Sequence, residues 1–387
     1  MLLTGGTGFI GAHLLAELLS RPTVHVVCLV RAADVPAARE RLRAALRHYR
    51  LAEALPRFDY ALGYGQLRII AGDLAAPELG LPHGVFVRLA HEVDAVLHAG
   101  ARVNFLTDYA GLRADNVLGT RELLRLALTG DGCRLHVLSS FSVFGADELA
   151  AHREAPIGED RLPDPARPPA DGYSRSKHVV EHVLEDCRRY GLDSVVYRLG
   201  EIWPHSRTGV ANPASIAHAL ITAAARTGIV FPTAATTDHL PVDLVAGYIA
   251  SAVTGRRPAV DRVHVLRPGP LRFADVFDAL IDRGAAEPDG YPAFWARLHD
   301  LLERDGADDA LVRAAMLLPA ARGDGPAAPA ALDAMFTDSS HHFAVAQFTS
   351  HAPSMAALVT RTALDDLTPF LDGLADSEAD ATLGARR

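Results

Sequence analysis

The sequence is poor in features that mark several common classes of protein. Its three cysteines, Cys28, Cys133 and Cys187, are odd in number and far apart, which argues against a disulfide framework or a metal site and favours a reducing compartment. Lysine and arginine form no basic block in a chain of net charge −9, so nucleic-acid binding is not expected. There is no apolar run of membrane-spanning length and no leader before the first motif, so we expect a cytoplasmic protein without membrane contact.

The first 200 residues show an alternation of short apolar runs and amphipathic stretches. A short first strand is predicted at 2–3, and further buried strands are predicted at 24–30, 67–71, 95–98, 135–138 and 194–198. Helices are predicted at 12–20, 37–55, 109–128 and 174–190. Strand and helix repeated in this way favour a parallel sheet covered on both faces. The predicted fold class is therefore α/β, a Rossmann-type doubly wound sheet.

The rhythm changes after about residue 200, where proline, glycine and alanine become frequent. We expect a dinucleotide-binding domain over 1–200, with 229–255 packing back on it, and a smaller, mostly helical substrate lobe over 201–375. One further strand is predicted at 262–268 and a surface loop at 319–332. The final residues, 376–387, are expected to be disordered.

The stretch "TGGTGFIG" carries glycines 5, 8 and 11 between a predicted strand and a predicted helix. Glycine lets a backbone turn tightly and approach a pyrophosphate, and the helix that follows offers free N–H groups to it. The alternative is a glycine-rich turn in an unrelated α/β protein. The candidate cofactor contacts in this turn are Thr4, Gly5, Thr7, Gly8, Phe9, Ile10 and Gly11.

Arg31 ends the second predicted strand, where an NAD site usually carries an acid for the ribose hydroxyl. An arginine there suits the 2′-phosphate of NADPH, and Arg41 adds positive charge. The alternatives are that Arg31 is a solvated strand-end charge, and that Asp34 takes the role of the acid.

Small and acidic residues follow the next two strands. Asp73 is placed to accept from an adenine amino group beside Leu74, or else to form a turn. Ala99, Gly100 and Ala101 would let the cofactor lie against the backbone, whereas His98 is interpreted as a packed core histidine.

Tyr173 and Lys177 stand four residues apart on a predicted helix, and so on one face of it. A neighbouring ammonium favours the phenolate and moves the tyrosine pKa towards a catalytic range. Ser140, at the end of the fifth strand, is placed to hydrogen-bond a substrate carbonyl. The alternatives are a chance spacing in the helix and a capping role for Ser139 and Ser140.

With "TGGTGFIG", "LSSFSVFG" and "YSRSK" in this order, the chain resembles an extended short-chain dehydrogenase/reductase. More narrowly, it is similar to the thioester reductase domains that end nonribosomal peptide and polyketide assembly lines, which are related to domains of carboxylic acid reductases. The segments that narrow the resemblance are 29–32, 98–120, 197–213 and 238–253. The resemblance extends from residue 2 to about residue 300.

The resemblance implies that NADPH delivers hydride to a thioester on the phosphopantetheine arm of a carrier domain, giving an aldehyde or further an alcohol. Ser140 would polarise the carbonyl oxygen, Tyr173 would protonate it, and Lys177 would tune Tyr173 and hold the ribose. Asn116 would be structural or part of a proton relay. Leu199, which replaces the usual proline, Gly200 and Ile202 are also assigned to the cofactor site.

Two other functions stay open on the same fold: a nucleotide-sugar epimerase or dehydratase, and a non-catalytic NADP-sensing protein. The latter commonly lacks the tyrosine, which argues against it here. The carrier is expected to dock on the lobe between about 201 and 320, with no metal ion involved. The short first strand suggests either a domain cut from a larger synthase or a start that was assigned too late. An excised terminal domain of this kind is expected to be a monomer.

Overall fold

The computed structural model describes residues 1–145, 148–149, 156–255, 258, 260–267, 269, 271–304, 309–318 and 363–384. The chain divides into two compact units, of which the first contains residues 1–199 and 243–265. The second contains the described residues among 200–242 and 266–384. Of the segment that we expected to pack on the first domain, 243–255 belongs to the first unit. The preceding residues, 229–242, belong to the second unit, where their short strands find partners.

The first unit is built on a sheet of seven parallel strands. These are β1 (Leu2–Thr4), β2 (Val26–Val30), β3 (Leu67–Ala71), β4 (Ala95–His98), β5 (Arg134–Ser140), β6 (Ser194–Leu199) and β11 (Arg262–Val265). Their order is β11-β6-β5-β4-β1-β2-β3, and it reverses between β1 and β4. This confirms the predicted Rossmann-type fold, in which a ligand binds at such a reversal, outside the carboxyl ends of the strands.

Helices join the strands of the first unit: α1 (Phe9–Leu19), α2 (Val35–His48), α3 (Ala54–Gly63), α4 (His83–Glu92), α5 (Tyr109–Arg113), α6 (Gly119–Thr129), α7 (Gly172–Arg188) and α9 (Val242–Thr254). The single helix predicted over 37–55 is two helices, because Arg50 takes a left-handed φ of 52° between them. The helix predicted over 109–128 contains a π-helical turn, Ala114–Leu118.

The second unit contains three short strand pairs and five helices among its described residues. Its strands are β7 (Ile202–Trp203), β8 (Ile229–Val230), β9 (Thr236–Thr237), β10 (Leu240–Pro241), β12 (Leu271–Arg272) and β13 (Glu287–Pro288). Its helices are α8 (Ile216–Thr227), α10 (Phe273–Asp282), α11 (Tyr291–Arg304), α12 (Asp309–Leu317) and α13 (Ala363–Gly384). An apolar core that includes Phe231, Phe273 and Phe294 holds the unit together.

The last helix, α13, is part of this core. Leu367 and Leu371 are buried in it, and Asp366 forms a buried ion pair of 2.8 Å with Arg267. The chain is helical to Gly384, in contrast to the disorder expected from residue 376, and the core holds this helix through residues up to Leu374 and Ala375. The predicted loop at 319–332 lies outside the described residues, and the strand predicted at 262–268 ends at Val265.

Among the helices of the described ranges, none combines the length and the apolar character that crossing a membrane requires.

Candidate active site and cofactor cleft

A tight glycine turn connects β1 to α1. Gly5 has a φ of 74°, and a Cβ there would lie 2.5 Å from the carbonyl carbon of Ala99. A Cβ on Gly11 would lie 2.0 Å from the Gly5 oxygen. Both positions therefore require glycine, because the turn, α1 and the end of β4 approach one another at backbone distance.

The turn borders a cleft of about 350 Å³ at the carboxyl ends of the strands. Gly8 is the N-cap of α1 and has no side chain with which to cap it. The N–H groups of the first helical turn, from Phe9 to Gly11, thus suit the phosphates of a dinucleotide. The cleft is lined by Gly5, Gly6, Thr7, Gly8, Leu29, Val30, Arg31, Arg41, Gly72, Asp73, Leu74, Ala99, Gly100, Ala101, Arg102 and Asp115.

A buried hydrogen-bond chain supports the floor of the cleft. Thr4 Oγ1 accepts from the Gly100 N–H at 3.2 Å and lies 2.8 Å from His98 Nδ1. His98 Nε2 lies 3.1 Å from the Thr120 hydroxyl, which donates to the Asn116 carbonyl. This order makes Nδ1 the acceptor and Nε2–H the donor. Burial lowers the pKa of His98 to about 3, so the ring is neutral and structural.

The residues after β4 leave room for a flat ligand. A Cβ on Gly100 would lie 2.7 Å from Leu74 Cδ1, so Leu74 packs directly over this glycine. Ala99 and Ala101 continue the same wall of the cleft. Small side chains and close backbone contacts are what a dinucleotide site needs at this edge of the sheet.

Three arginines and one carboxylate stand at the charged part of the cleft. Arg31 Nη1 lies 3.6 Å from Asp115 Oδ1, and Arg102 Nη1 lies 3.8 Å from Asp115 Oδ2. Arg41 donates to the backbone carbonyl of Arg31. The side chains of Arg31 and Arg102 are 68% and 54% exposed, so both cations are open to solvent.

Two other carboxylates near the cleft have local structural roles. Asp34 is the N-cap of α2 and accepts from the Ala37 N–H at 2.8 Å. It does not line the cleft, so it does not fill the ribose-binding role left open for it. Asp73 does line the cleft, and its Oδ1 also accepts from the Ala75 N–H at 3.0 Å.

Asn116 joins the cleft wall to the helix that carries Tyr173. It lies in the π-helical turn, a feature that often marks functional sites. Its Oδ1 accepts from the Arg102 N–H, and its Nδ2 donates to the Arg102 carbonyl and to Ser176 Oγ at 2.9 Å. Ser176 in turn donates to the Tyr173 carbonyl at 2.6 Å. These bonds occupy both the oxygen and the nitrogen of the Asn116 amide. Of the two roles predicted for Asn116, they support the structural one.

Tyr173 lies in the first turn of α7, against the segment that follows β4. A Cβ on Gly172 would lie 2.4 Å from the Thr107 oxygen, so this segment packs on the start of α7. The ring of Phe105 meets the Tyr173 ring edge to face, with centroids 5.3 Å apart. Packing at Gly172 therefore fixes the backbone beside Tyr173, and Phe105 fixes its ring.

Lys177 lies one turn later on the same helix, and it is the single lysine among 38 basic residues. Its side chain is buried and Nζ donates to the Leu138 carbonyl at 2.8 Å. Burial lowers the pKa of Lys177 to about 8, while the charge of Glu181 acts in the opposite direction. An ammonium pKa can be tuned in this way and a guanidinium pKa cannot, which explains a lysine in a chain that otherwise uses arginine.

Ser140 ends β5 with its hydroxyl proton available. Its Oγ accepts from the Ser142 N–H at 3.2 Å and from the Ser142 hydroxyl at 2.9 Å. Because the oxygen accepts both bonds, the Ser140 proton is left to donate outward. The serine also caps the short 3₁₀ turn Phe141–Val143. It therefore has the capping role that was the alternative, and it can still donate its hydroxyl proton.

A buried ionic network lies beneath the catalytic candidates. Glu181 accepts from Ser139 Oγ at 2.7 Å and from Arg198 Nη2 at 2.6 Å. Both side chains of the ion pair are 0% exposed. Burial alone would raise the pKa of Glu181, but Arg198 holds it below its usual range. The network joins α7 to β5 and β6.

The structure thus brings ten of the predicted cofactor residues to the cleft wall: Gly5, Thr7, Gly8, Arg31, Arg41, Asp73, Leu74, Ala99, Gly100 and Ala101. The other predicted cofactor residues of the first unit are not among the residues that line this cavity: Thr4, Phe9, Ile10, Gly11, Asn116, Tyr173, Lys177 and Leu199. Gly200 and Ile202 belong to the second unit, where a Cβ on Gly200 would meet Asp238 at 2.7 Å.

Three features of the site were not identified from the sequence. Arg102 and Asp115 reach the cleft only through the fold, since they are far from Arg31 along the chain. Glu181 looks like an ordinary helical acid until Arg198 is placed against it. The single lysine, by contrast, is a signal that a residue count reveals.

Comparison with known proteins places this site in a family. The family profile described as "Male sterility protein", an NAD-binding family, matches residues 3–249. A linear gramicidin synthase from Brevibacillus parabrevis is 32% identical over 73% of this chain. Aldehyde reductase lnaA of Aspergillus flavus is 37% identical over 72% of it. The matched regions are only 5% and 26% of those two relatives, so the chain spans a small part of their length.

Solved structures give the same result for the fold. The terminal R domain of the myxalamid PKS-NRPS pathway matches with a TM-score of 0.77 and 29% identity, covering 97% of this chain and 90% of that one. The reductase domain of a nonribosomal peptide synthetase from Mycobacterium tuberculosis matches at 0.73 and 26%, covering 96% and 92%. An archaeal thiolation-reductase di-domain matches at 0.71 and 20% identity, covering 96% of this chain and 75% of that one.

Proposed function

The chain belongs to the Male sterility protein family of NAD-binding proteins, and from this premise we propose that it is a reductase that releases a carrier-bound acyl or peptidyl thioester as an aldehyde. The observation that carries the proposal is that Ser140 at the end of β5, and Tyr173 and the single lysine, Lys177, on α7, belong to the same unit as the glycine-lined cleft, with Lys177 bonded to the Leu138 carbonyl of β5. The resemblance to synthase reductase domains points to the thioester as substrate.

When bound, the nicotinamide cofactor supplies hydride for the thioester carbonyl carbon. Ser140 donates a hydrogen bond to the carbonyl oxygen, and Tyr173 gives that oxygen its proton. Lys177 keeps a positive charge one helical turn from Tyr173, which favours release of the phenolic proton. The resulting hemithioacetal loses the carrier thiol and leaves the aldehyde. Phe105 and Ser176 keep the tyrosine in position during these steps.

We assign cofactor binding to the first unit, with NADPH as the cofactor, and substrate contact to the second unit. The exposed cations of the cleft, Arg31 and Arg102, support NADPH because a 2′-phosphate accepts charged, bidentate hydrogen bonds from guanidinium groups. Asp34, the acid nearest to Arg31 along the chain, caps α2 through the Ala37 N–H. The further reduction of the aldehyde to an alcohol belongs to the same proposal.

The proposed partner is a phosphopantetheinylated carrier domain in the cytoplasm. One structural neighbour is a thiolation-reductase di-domain, and one sequence relative is a gramicidin synthase. One name is that of a synthase, and the other joins a thiolation domain to a reductase domain, which supports a carrier-bound substrate for this chain. The fit to such neighbours over nearly the whole chain supports a reductase domain as the working unit.

The test is to follow NADPH oxidation with an acyl-pantetheine thioester, then with the same acyl group on a carrier domain, and to identify the product by mass spectrometry. We expect NADPH-dependent formation of aldehyde or alcohol. Tyr173→Phe should lower kcat by about a hundredfold or more, because general acid catalysis contributes about 10²–10⁴.

Tyr190→Phe is the matched control, since it removes the same hydroxyl from a tyrosine that is 86% exposed just beyond the other end of α7. This variant should keep full activity. A protein that binds the cofactor but turns over neither thioester would contradict the proposal and favour the sugar-nucleotide enzymes or cofactor sensors of this fold.

A further inference from the structure

We propose that Arg102 is a specificity-determining residue for the 2′-phosphate of the cofactor, and that Asp115 is the counterion which this phosphate displaces. The inference rests on the proposed function, in that it takes NADPH as the cofactor. It goes beyond the strand-end arginine, Arg31, because it assigns the selectivity to a second arginine from a different strand connection and to a carboxylate between the two.

The side chains of Arg31 and Arg102 are arranged around one carboxylate, that of Asp115. Asp115 offers one oxygen to each arginine, Oδ1 towards Arg31 at 3.6 Å and Oδ2 towards Arg102 at 3.8 Å. All three residues line the same cleft, beside the end of β2. The carboxylate therefore holds two guanidinium groups on either side of one anion, which is the arrangement that a phosphate monoester would also require.

The contacts between Asp115 and the two arginines are weak. Both distances are longer than a hydrogen bond, and both arginine side chains are more than half exposed. Exposed pairs of this kind contribute little to stability, so exchanging the partner costs little. A phosphate dianion forms shorter, bidentate hydrogen bonds with a guanidinium group than this carboxylate does. The two arginines should leave Asp115 for the phosphate.

The backbone of Arg102 is fixed at both of its polar groups. Asn116 binds both its N–H, at 2.8 Å, and its carbonyl, at 3.1 Å. Only the side chain is left to move, and Asp115 precedes Asn116 in the same π-helical turn. Arg41 is engaged differently, because it donates to the Arg31 carbonyl. Arg102 is thus fixed at its backbone, and within the part of the chain that the structure describes its guanidinium group is held only by the exposed contact with Asp115, as suits a selective ligand for an arriving anion.

The test uses two unreactive probes that differ by one phosphate, adenosine 2′,5′-bisphosphate and adenosine 5′-monophosphate, with affinities measured by isothermal titration calorimetry. Arg102→Ala should weaken bisphosphate binding by about five- to tenfold, because a charge-assisted contact is lost, and should change monophosphate binding by less than about twofold. Asp115→Asn should tighten bisphosphate binding by about three- to fivefold, because a competing negative charge is removed at close range.

Arg113→Ala is the matched control, since it removes an exposed arginine two residues before Asp115 that does not line the cleft. It should leave both affinities within about twofold. The inference is overturned if Arg102→Ala weakens both probes equally or neither, or if Asp115→Asn weakens the bisphosphate. If the unmodified protein itself does not prefer the bisphosphate, the NADPH assignment fails as well. Thioester turnover with either nicotinamide cofactor is measured separately and decides the reductase proposal.

Discussion

Arginine–carboxylate pairs occur in two contrasting places in the first unit. At the cleft, Arg31 and Arg102 share Asp115 at 3.6 and 3.8 Å, with the arginines 68% and 54% exposed. Between α7 and β6, Arg198 meets Glu181 at 2.6 Å, and both are 0% exposed. The chemical groups are the same, but water surrounds one set and is excluded from the other.

Exposure gives the two sets of charges different functions in this molecule. An exposed pair is weak and exchanges partners easily, which suits the place where a charged ligand arrives. A buried pair is costly to open, because either partner alone would be an uncompensated charge in the interior. The buried pair therefore fixes α7 against β5 and β6, so that Lys177 and Ser140 keep their places.

The largest effect should follow from breaking the buried pair. Glu181→Gln leaves Arg198 charged and without its carboxylate, which should lower the free energy of unfolding by about 3–5 kcal/mol. Urea unfolding followed by circular dichroism measures this loss. Asp186→Asn is the control, since Asp186 lies on the same helix and pairs with Arg189 at 3.1 Å, with both side chains more than two-thirds exposed. Its loss should be about 1 kcal/mol or less.

Acid gives an independent measure of the same pair. Because the folded pKa of Glu181 lies below the unfolded value, its contribution to stability is complete above about pH 4.3 and is lost as the pH falls through the folded pKa. The Glu181→Gln protein should lack this part of the acid transition. Equal losses for Glu181→Gln and Asp186→Asn would show that burial does not distinguish the two pairs.

A smaller effect should appear at Lys177, which reports on the buried network directly. Since the chain holds one lysine, ¹³C,¹⁵N-lysine labelling gives a single side-chain NMR signal. It should titrate near the pKa of about 8 that burial produces. Glu181→Gln should lower this pKa by about one unit, because a negative charge that favours the ammonium is lost.

Two variants separate charge from general disturbance in this titration. Ser139→Ala removes one hydrogen bond to Glu181 but keeps its charge, so the pKa should remain near 8. Arg102→Ala changes the exposed set only and should also leave it unchanged. A lysine signal that titrates above pH 10 in the unmodified protein would mean that Lys177 is solvated and not buried.

Much of this site follows from local sequence patterns. The glycine turn and the spacing of Tyr173 and Lys177 involve neighbours along the chain, so a short window contains the physical information. The order of buried strands likewise needs only the runs of apolar residues. The break after α2 does not follow, because Arg50 adopts its left-handed φ without a glycine to signal it.

The rest depends on contacts between distant segments. Asp115 pairs with Arg31 only because β1 lies beside both β2 and β4, which brings the ends of these strands to one edge. Glu181 and Arg198 meet because α7 packs beside β6. The helix at the C-terminus forms because Leu367 and Leu371 find a core in the second unit, and no local pattern shows that core.

The smallest effect on the free energy of unfolding should come from the exposed pairs of Asp115 with Arg31 and Arg102. Asp115→Ala should change the free energy of unfolding by about 0.5 kcal/mol or less, since its partners stay solvated. Asp34→Ala, a few residues after the same strand, should cost about 1 kcal/mol, because Asp34 caps α2 through the Ala37 N–H. Thermal unfolding at low and high salt measures both. If Asp115→Ala costs more than Asp34→Ala, and salt does not reduce that cost, the carboxylate at the cleft is a structural anchor, and a phosphate would not displace it.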